Sequence, residues 1–410
     1  MKRIALIGTL DTKGEEVGFL KEIIEGRGHR AIVIDIGLLG PTPFPPDIPR
    51  EEVLKGVGEE LDALLRLGDE GKAIEKMAEG LAEILKGLHR RGEIDGVLGI
   101  GGGQGSAVCS HAMRQLPVGF PKVLVSTKVA QAGAGAYVGT RDILVLPSVA
   151  DIAGLNRLTK RVLSNAAGAI VGMVEGEAPQ EEVRPVVTMS MLGTTTACGL
   201  RLKELLEGEG FEVVVFHAIG VGGKAMEEFI KESGAEGVIE LAVNEIGNEL
   251  FGGKASAGPQ RMEVAGALGI PQLITPGNAD FINFLSIETV PPHYRDRKLH
   301  RHNPQATTMR LNREEMEVLG RTLADKLNKA SGPVKVIIPR KGFSSWDREG
   351  GIFFDPQADE GFIRALREQL SGEVELKVVD LHINDPAFAQ VLFGEFKALM
   401  GRVPKKSTRR

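Results

Sequence analysis

Short aliphatic runs alternate along this chain with longer stretches in which apolar residues recur every three or four positions. Residues 4–7, Ile-Ala-Leu-Ile, read as a buried strand. The stretch after them places Val17, Leu20, Ile23 and Ile24 at helical spacing, and Gly26 and Gly28 end that helix. Residues 31–36 form the next strand. Ile74, Met77, Leu81, Ile84, Leu85 and Leu88 mark a second helix, and residues 97–100, 123–125 and 143–146 are further strands. Strands that alternate with helices predict parallel pairing through right-handed crossovers, hence an open α/β sheet.

The polar, acidic stretch 175–185 holds Pro179 and Pro185 and reads as a linker. It divides the chain into a first α/β domain, 1–178, and a second, 184–404. Pieces of the first recur in order in the second. Leu20-Lys21-Glu22-Ile23-Ile24-Glu25-Gly26-Arg27-Gly28 is matched by Leu202-Lys203-Glu204-Leu205-Leu206-Glu207-Gly208-Glu209-Gly210. Gly8-Thr9 matches Gly193-Thr194, Ile36-Gly37 matches Ile219-Gly220, and Asp95-Gly96-Val97 matches Glu236-Gly237-Val238. Gly119-Phe120-Pro121 recurs as Gly269-Ile270-Pro271. Either the domains are related by internal duplication, or the pieces share no more than the helix–glycine–strand grammar of all α/β units. The second domain extends further, with strands near 334–338 and 374–379 and a closing helix from Asn384-Asp385-Pro386.

Composition narrows the function. The 410 residues are 42% apolar and 26% charged, which is ordinary globular usage and excludes a disordered or fibrous chain. Fifty basic and 55 acidic side chains give a net charge of −5, against a non-specific nucleic-acid binder. No apolar run is long enough for a membrane span, and the apolar run at the start is too short for a signal-peptide core. Two separate cysteines, Cys109 and Cys198, exclude a disulfide scaffold and fit a reducing cytoplasm. The tail 405–410 reads as a solvated, frayed terminus. Glycine is the outlier at 53 residues, nearly twice the average usage of about 7%. Such a chain brings backbone close to something.

In open parallel sheets ligands bind beyond the carboxyl ends of strands, and the candidate loops are assigned there. Gly101-Gly102-Gly103-Gln104-Gly105-Ser106 lets amides converge at a helix start, an anion cradle suited to phosphate, with Ser106 adding a hydroxyl. The competing reading is a tight turn with glycine for packing. Gly8-Thr9-Leu10-Asp11-Thr12-Lys13-Gly14 offers the hydroxyls of Thr9 and Thr12, the Lys13 ammonium, and Asp11 as a magnesium ligand; Asp11 or Thr12 can equally cap the following helix. Ser126-Thr127-Lys128 repeats the hydroxyl-plus-ammonium pattern or is a solvated turn, and Asp35 is either a ribose acceptor or a turn residue.

The second domain lacks a glycine run at the matching place. Its polar loops suggest a small anionic substrate instead: Gly222, Gly223, Lys224, Glu245, Asn278, Arg301 and His302, with Arg310 as a further anion contact. His293, His300 and His302 lie among cations, which argues against a metal. Cys198 at a loop before a helix is a candidate nucleophile with no histidine adjacent in sequence. The sequence singles out no catalytic residue.

Several of these segments, with Met189-Ser190-Met191-Leu192-Gly193-Thr194-Thr195-Thr196, Phe216-His217-Ala218-Ile219-Gly220-Val221-Gly222-Gly223-Lys224 and His302-Asn303-Pro304, carry a resemblance. The chain resembles the uncharacterised bacterial, archaeal and fungal family that shares the ATP-binding N-terminal region of the tomato mosaic virus resistance protein. The resemblance implies two Rossmann-like subdomains, homodimerisation and bound Mg-ATP. It supplies a ligand and no reaction. The expectation is a cytosolic ATP-binding protein whose first-domain loops hold the phosphates. The alternative is a kinase or ligase acting on a small carboxylic acid at an interdomain cleft, with Glu245 or His302 as its base.

Overall fold

The computed structural model describes residues 1–66, 68–177 and 182–401. Of the expected linker, residues 178–181 lie outside this set, as does the tail 405–410. Two compact units result, 1–180 and 181–410.

In the first unit β1 (Arg3–Gly8) leads through α1 (Leu10–Gly26) to β2 (Arg30–Asp35). Helices α2 (Arg50–Lys55), α3 (Leu61–Arg66) and α4 (Glu70–Arg90) precede β3 (Gly96–Gly101) and α5 (Gly103–Met113). Then come β4 (Lys122–Ser126), α6 (Val129–Ala132), α7 (Gly135–Val138), β5 (Leu144–Pro147) and α8 (Arg157–Glu175). The sheet order is β2-β1-β3-β4-β5, and every pairing is parallel. Both faces are covered, so β1 is apolar from Ile4 to Ile7 rather than alternating. Ile4 and Leu6 pack with Leu20 of α1 and Leu163 of α8, whereas Ala5 and Ile7 pack with Met77 of α4 and Cys109 of α5. The short helices α2 and α3 have no counterpart in the apolar pattern read above.

The second unit repeats the plan with β6 (Val186–Met191), α9 (Thr196–Gly208), β7 (Glu212–His217), α10 (Val221–Ser233), β8 (Gly237–Glu240) and α11 (Asn244–Leu250). It continues with α12 (Val264–Ala267) and β9 (Gln272–Ile274). Three further strands follow: β10 (Phe281–Phe284), β11 (Leu299–Asn303) and β12 (Ala306–Arg310). They form a separate antiparallel sheet of order β10-β12-β11. Then α13 (Arg313–Leu327), β13 (Val334–Pro339), α14 (Pro356–Gln369), β14 (Glu375–Val379) and α15 (Pro386–Met400) complete the unit. The main sheet runs β14-β13-β9-β8-β6-β7, all parallel.

Both units are therefore Rossmann-like α/β sheets, and their first four strands share one order: second, first, third, fourth. The matched segments noted in the sequence occupy equivalent places, closing α1 and α9 and opening β3 and β8. Among the described residues no helix is long and apolar enough to cross a membrane.

Candidate functional site

In the first unit α1 packs on one face of the sheet and α4 and α5 on the other. The crossovers thus diverge between neighbouring strands β1 and β3. That divergence opens a crevice beyond their carboxyl ends, where open α/β sheets place ligands.

The glycines at this edge serve two different ends. A Cβ on Gly99 would meet Cys109 Sγ at 2.8 Å, and one on Gly101 would meet the Ser106 nitrogen at 2.4 Å. Those two are demanded by packing. Gly102 is different: the nearest atom, Thr127 Oγ1, lies 3.9 Å from a Cβ placed there, and around Gly103 there is open space. The fold does not require either to be glycine. Gly102 stands at the N-cap of α5 in an extended conformation, and no side chain caps the helix. The first-turn amides have no intrahelical acceptor, so they are open to an anion. Gly105 sits at ordinary contact distance from its neighbours.

Ser106 departs from its expected role. It is fully buried, and its hydroxyl lies within hydrogen-bond distance of the Gly101 carbonyl (3.0 Å) and of Ser126 Oγ (2.8 Å). Ser126, also buried, accepts in turn from the Lys128 amide at 3.1 Å. This buried hydroxyl pair ties the β3 loop to the β4 loop and presents nothing to a ligand. Thr127 is half-buried beside them, its amide donating to the Gly101 carbonyl at 3.2 Å.

In the β1 loop, Gly8 is a packing glycine, with Val17 2.6 Å from its missing Cβ. Thr9 and Thr12 join hydroxyls at 2.7 Å on the exposed rim. Lys13, at a non-helical kink in α1, donates from Nζ to the Ile152 carbonyl at 2.7 Å. Asp11 does not fit a magnesium ligand. One carboxylate oxygen accepts from the amides of Leu39 (2.8 Å) and Gly40 (3.4 Å), and Arg50 lies 3.9 Å away. The other oxygen is buried without a hydrogen bond, and a neighbouring guanidinium disfavours a dication there. Asp11 anchors the loop after β2. Asp35 does the same and is no ribose acceptor: buried, it accepts from the amides of Leu10 (3.0 Å) and Gly37 (2.9 Å). Burial pushes its pKa up, against those two amides and Arg50. Arg50, which the sequence did not single out, completes the brace by donating to the Gly40 carbonyl at 2.8 Å.

These loops enclose a cavity of about 400 Å³. Its polar part is Thr9, Asp11, Thr12, Lys13 and residues 102–105; its apolar part is Ile36, Leu38, Leu39, Ile74, Met77 and Val108. A second cavity, about 420 Å³, lies against Gly102 and Gly103 with Thr127 and Lys128.

The carboxyl edge of the second unit is filled by its own side chains. Glu245 is buried and accepts from the amides of Gly220 (2.6 Å) and Gly223 (3.0 Å) and from Arg261 Nε (2.7 Å). Desolvation raises its pKa, opposed by Arg261, yet every partner is structural, so it is not placed as a base. A Cβ on Gly223 would strike that carboxylate, and one on Gly222 the His217 carbonyl, so both glycines answer packing. Arg261 also pairs with Glu240 and Glu227, each within 3 Å. Asn278, fully buried with φ +59°, donates to Thr194 Oγ1 and accepts from Thr195 Oγ1 (3.2 Å). Lys224 remains exposed. Arg301 and His302 are exposed on β11 of the antiparallel sheet, and the His302 ring lies 5.8 Å from that of Trp346 in the loop after β13. Arg310 is buried, 2.6 Å from Asp359 and 3.9 Å from Asp347. Nearby Asp280 is pushed up to about 7 by burial and by Asp347, against the pull of Arg310. Cys198 is buried with its thiol pushed up to about 12 by desolvation, which removes it as a nucleophile. Among the described residues no group of His, Cys, Asp and Glu is arranged to hold a metal.

Comparison with known proteins follows the same two-part division. Residues 2–179 match the N-terminal domain, and residues 184–400 the C-terminal domain, of the Uncharacterised protein family (UPF0261). The chain is 42% identical over 390 residues to a UPF0261 protein of Clostridium tetani, covering 95% of this chain and 96% of that one. It is 35% identical over 419 residues to the ToMV resistance protein Tm-1(GCR237) of Solanum lycopersicum, covering 96% of this chain and 55% of the tomato protein. A solved structure of an uncharacterized protein from Bacillus cereus aligns over 83% of this chain and 97% of its own, at 12% identity and a TM-score of 0.27. The chain belongs to the UPF0261 family.

Proposed function

We propose that the first unit is a nucleotide-binding module that takes Mg-ATP at the β1–β3 crevice. The observation that supports this most is the pair Gly102 and Gly103: bare backbone at an uncapped helix start, facing open space, in a turn whose packing needs glycine at Gly101 but not at these two. Triphosphate oxygens accept from the amides of residues 103–105, with the Thr9 and Thr12 hydroxyls on the facing loop. The apolar part of the cavity, with Ile74 and Met77, suits a purine face. The magnesium ion arrives with the phosphates and takes no ligand from Asp11. The family resemblance points to the same nucleotide and to a homodimer, and two buried reduced cysteines suit a cytoplasmic setting.

Thermal shift and calorimetry with Mg-ATP, AMP and NAD test the reading. Mg-ATP is expected to raise the melting temperature of the wild type more than AMP or NAD. Gly103→Val, whose side chain enters open space, is expected to melt like the wild type without ligand and to lose the Mg-ATP shift. An undiminished shift in that variant overturns the proposal.

A further inference from the structure

Gly102 and Gly103 line two cavities rather than one. The reading above fills the first, and the present inference rests on it. The second measures about 420 Å³, large enough for a small metabolite. Its walls are Thr127, Lys128, Ser148, Val149, Ala150 and Asp151, besides the two glycines. Lys128 and Asp151 are the charges among them. With Val149 and Ala150 as its apolar side chains, the lining is too polar for a second base or a lipid chain.

The two charged residues are free to act on a ligand. Lys128 is exposed, its backbone amide is fixed by Ser126 Oγ (3.1 Å), and among the described residues no carboxylate pairs with its ammonium. Asp151 is exposed, and one of its oxygens accepts from the Ile152 amide at 2.9 Å, which leaves the second. Ser148 shapes the wall instead, its hydroxyl donating to the Ala150 carbonyl at 2.6 Å. Between them Val149 holds φ +66° while 80% exposed. A β-branched residue adopts the left-handed region at a cost, and such outliers gather at binding loops. Lys13, from the nucleotide side, joins this loop through the Ile152 carbonyl.

One ammonium and one carboxylate in a small polar cavity select a matching pair of groups. We propose that this cavity binds a small carboxylate that also carries a hydroxyl or an amino group, seated across the glycine turn from the nucleotide. Its carboxylate pairs with Lys128, and its hydroxyl or amine donates to Asp151. A dianionic phosphate would meet Asp151 as a like charge, and a neutral sugar would leave Lys128 without a counter-charge.

Calorimetric titration of the full chain with glycerate, L-serine and propionate, with and without the Mg complex of a non-hydrolysable ATP analogue, tests the site. Glycerate or serine is expected to bind, and propionate about tenfold or more weakly, because it leaves Asp151 without its donor. Lys128→Met is expected to weaken the bound acid about tenfold or more while nucleotide affinity stays within about twofold. Circular dichroism melts of that exposed-site variant confirm its fold. No binding of any of the three acids to the wild type, or equal acid affinity in Lys128→Met, overturns the inference. Nucleotide binding without acid binding sinks this site alone, whereas acid binding without nucleotide binding sinks the nucleotide reading alone.

Discussion

The carboxyl ends of the two parallel sheets share a strand order and differ in what occupies them. In the first unit the loops after β1 and β3 stand around a cavity, and the turn between β3 and α5 is bare backbone. In the second, the matching position at the start of α11 carries Asn244 and Glu245, both buried, and Arg261 gathers Glu227, Glu240 and Glu245 around itself. Topology decides where a crevice can open. Side chains decide whether it stays open or becomes polar core. A repeated fold is thus no evidence of a repeated site.

Breaking the Arg261 cluster is the most severe test of that contrast. Arg261→Met strands two buried carboxylates, Glu240 and Glu245, and the half-buried Glu227, and is expected to destabilise the second unit by about 3–5 kcal/mol, read as a lowered denaturation midpoint. A variant as stable as the wild type would mean that this edge is held apart for a ligand rather than for the fold.

Packing glycines and open glycines come next. Gly101→Val drives a side chain into the Ser106 backbone and is expected to cost about 1–3 kcal/mol or more. Gly103→Val is expected to stay within about 0.5 kcal/mol of the wild type. Equal destabilisation by the two would erase the distinction on which the first-unit site is drawn.

A smaller effect concerns pH. Asp280 holds its proton up to about pH 7 in the folded state because it is buried near Asp347, and Asp359 is shifted in the same direction. Their pKa values are raised above the unfolded ones, so the unfolded chain releases these protons first. Stability from this cluster is full below about pH 4 and falls as pH rises toward 7, by up to about 1.4 kcal/mol per unit for each proton. Because the carboxylates interact, the slope belongs to the cluster. Asp280→Asn is expected to flatten it in urea midpoints measured across that range, and a slope unchanged by the substitution would place its origin elsewhere.

Much of this architecture is legible in the sequence because strands covered on both faces are uninterrupted aliphatic runs. Residues 4–7 and 123–125 announce themselves in that way. The antiparallel sheet is not legible: β11 reads Leu-His-Arg-His-Asn, a polar string that becomes a strand by pairing with β12. At the site, the glycine turn stands out in sequence, but nothing local separates Gly101, which abuts Ser106, from Gly103, which abuts nothing. The roles of Asp11 and Glu245 were hidden for a related reason. Each is set by a partner far along the chain, Arg50 for one and Arg261 for the other, and neither arginine lies in a motif.

Hydrogen exchange on the full chain with and without Mg-ATP reads both edges at once. The account predicts slowed exchange at residues 103–106 and 9–13, where the phosphates would rest, and unchanged exchange at residues 244–250. Protection at residues 244–250, or at neither segment with the nucleotide in excess, would contradict it.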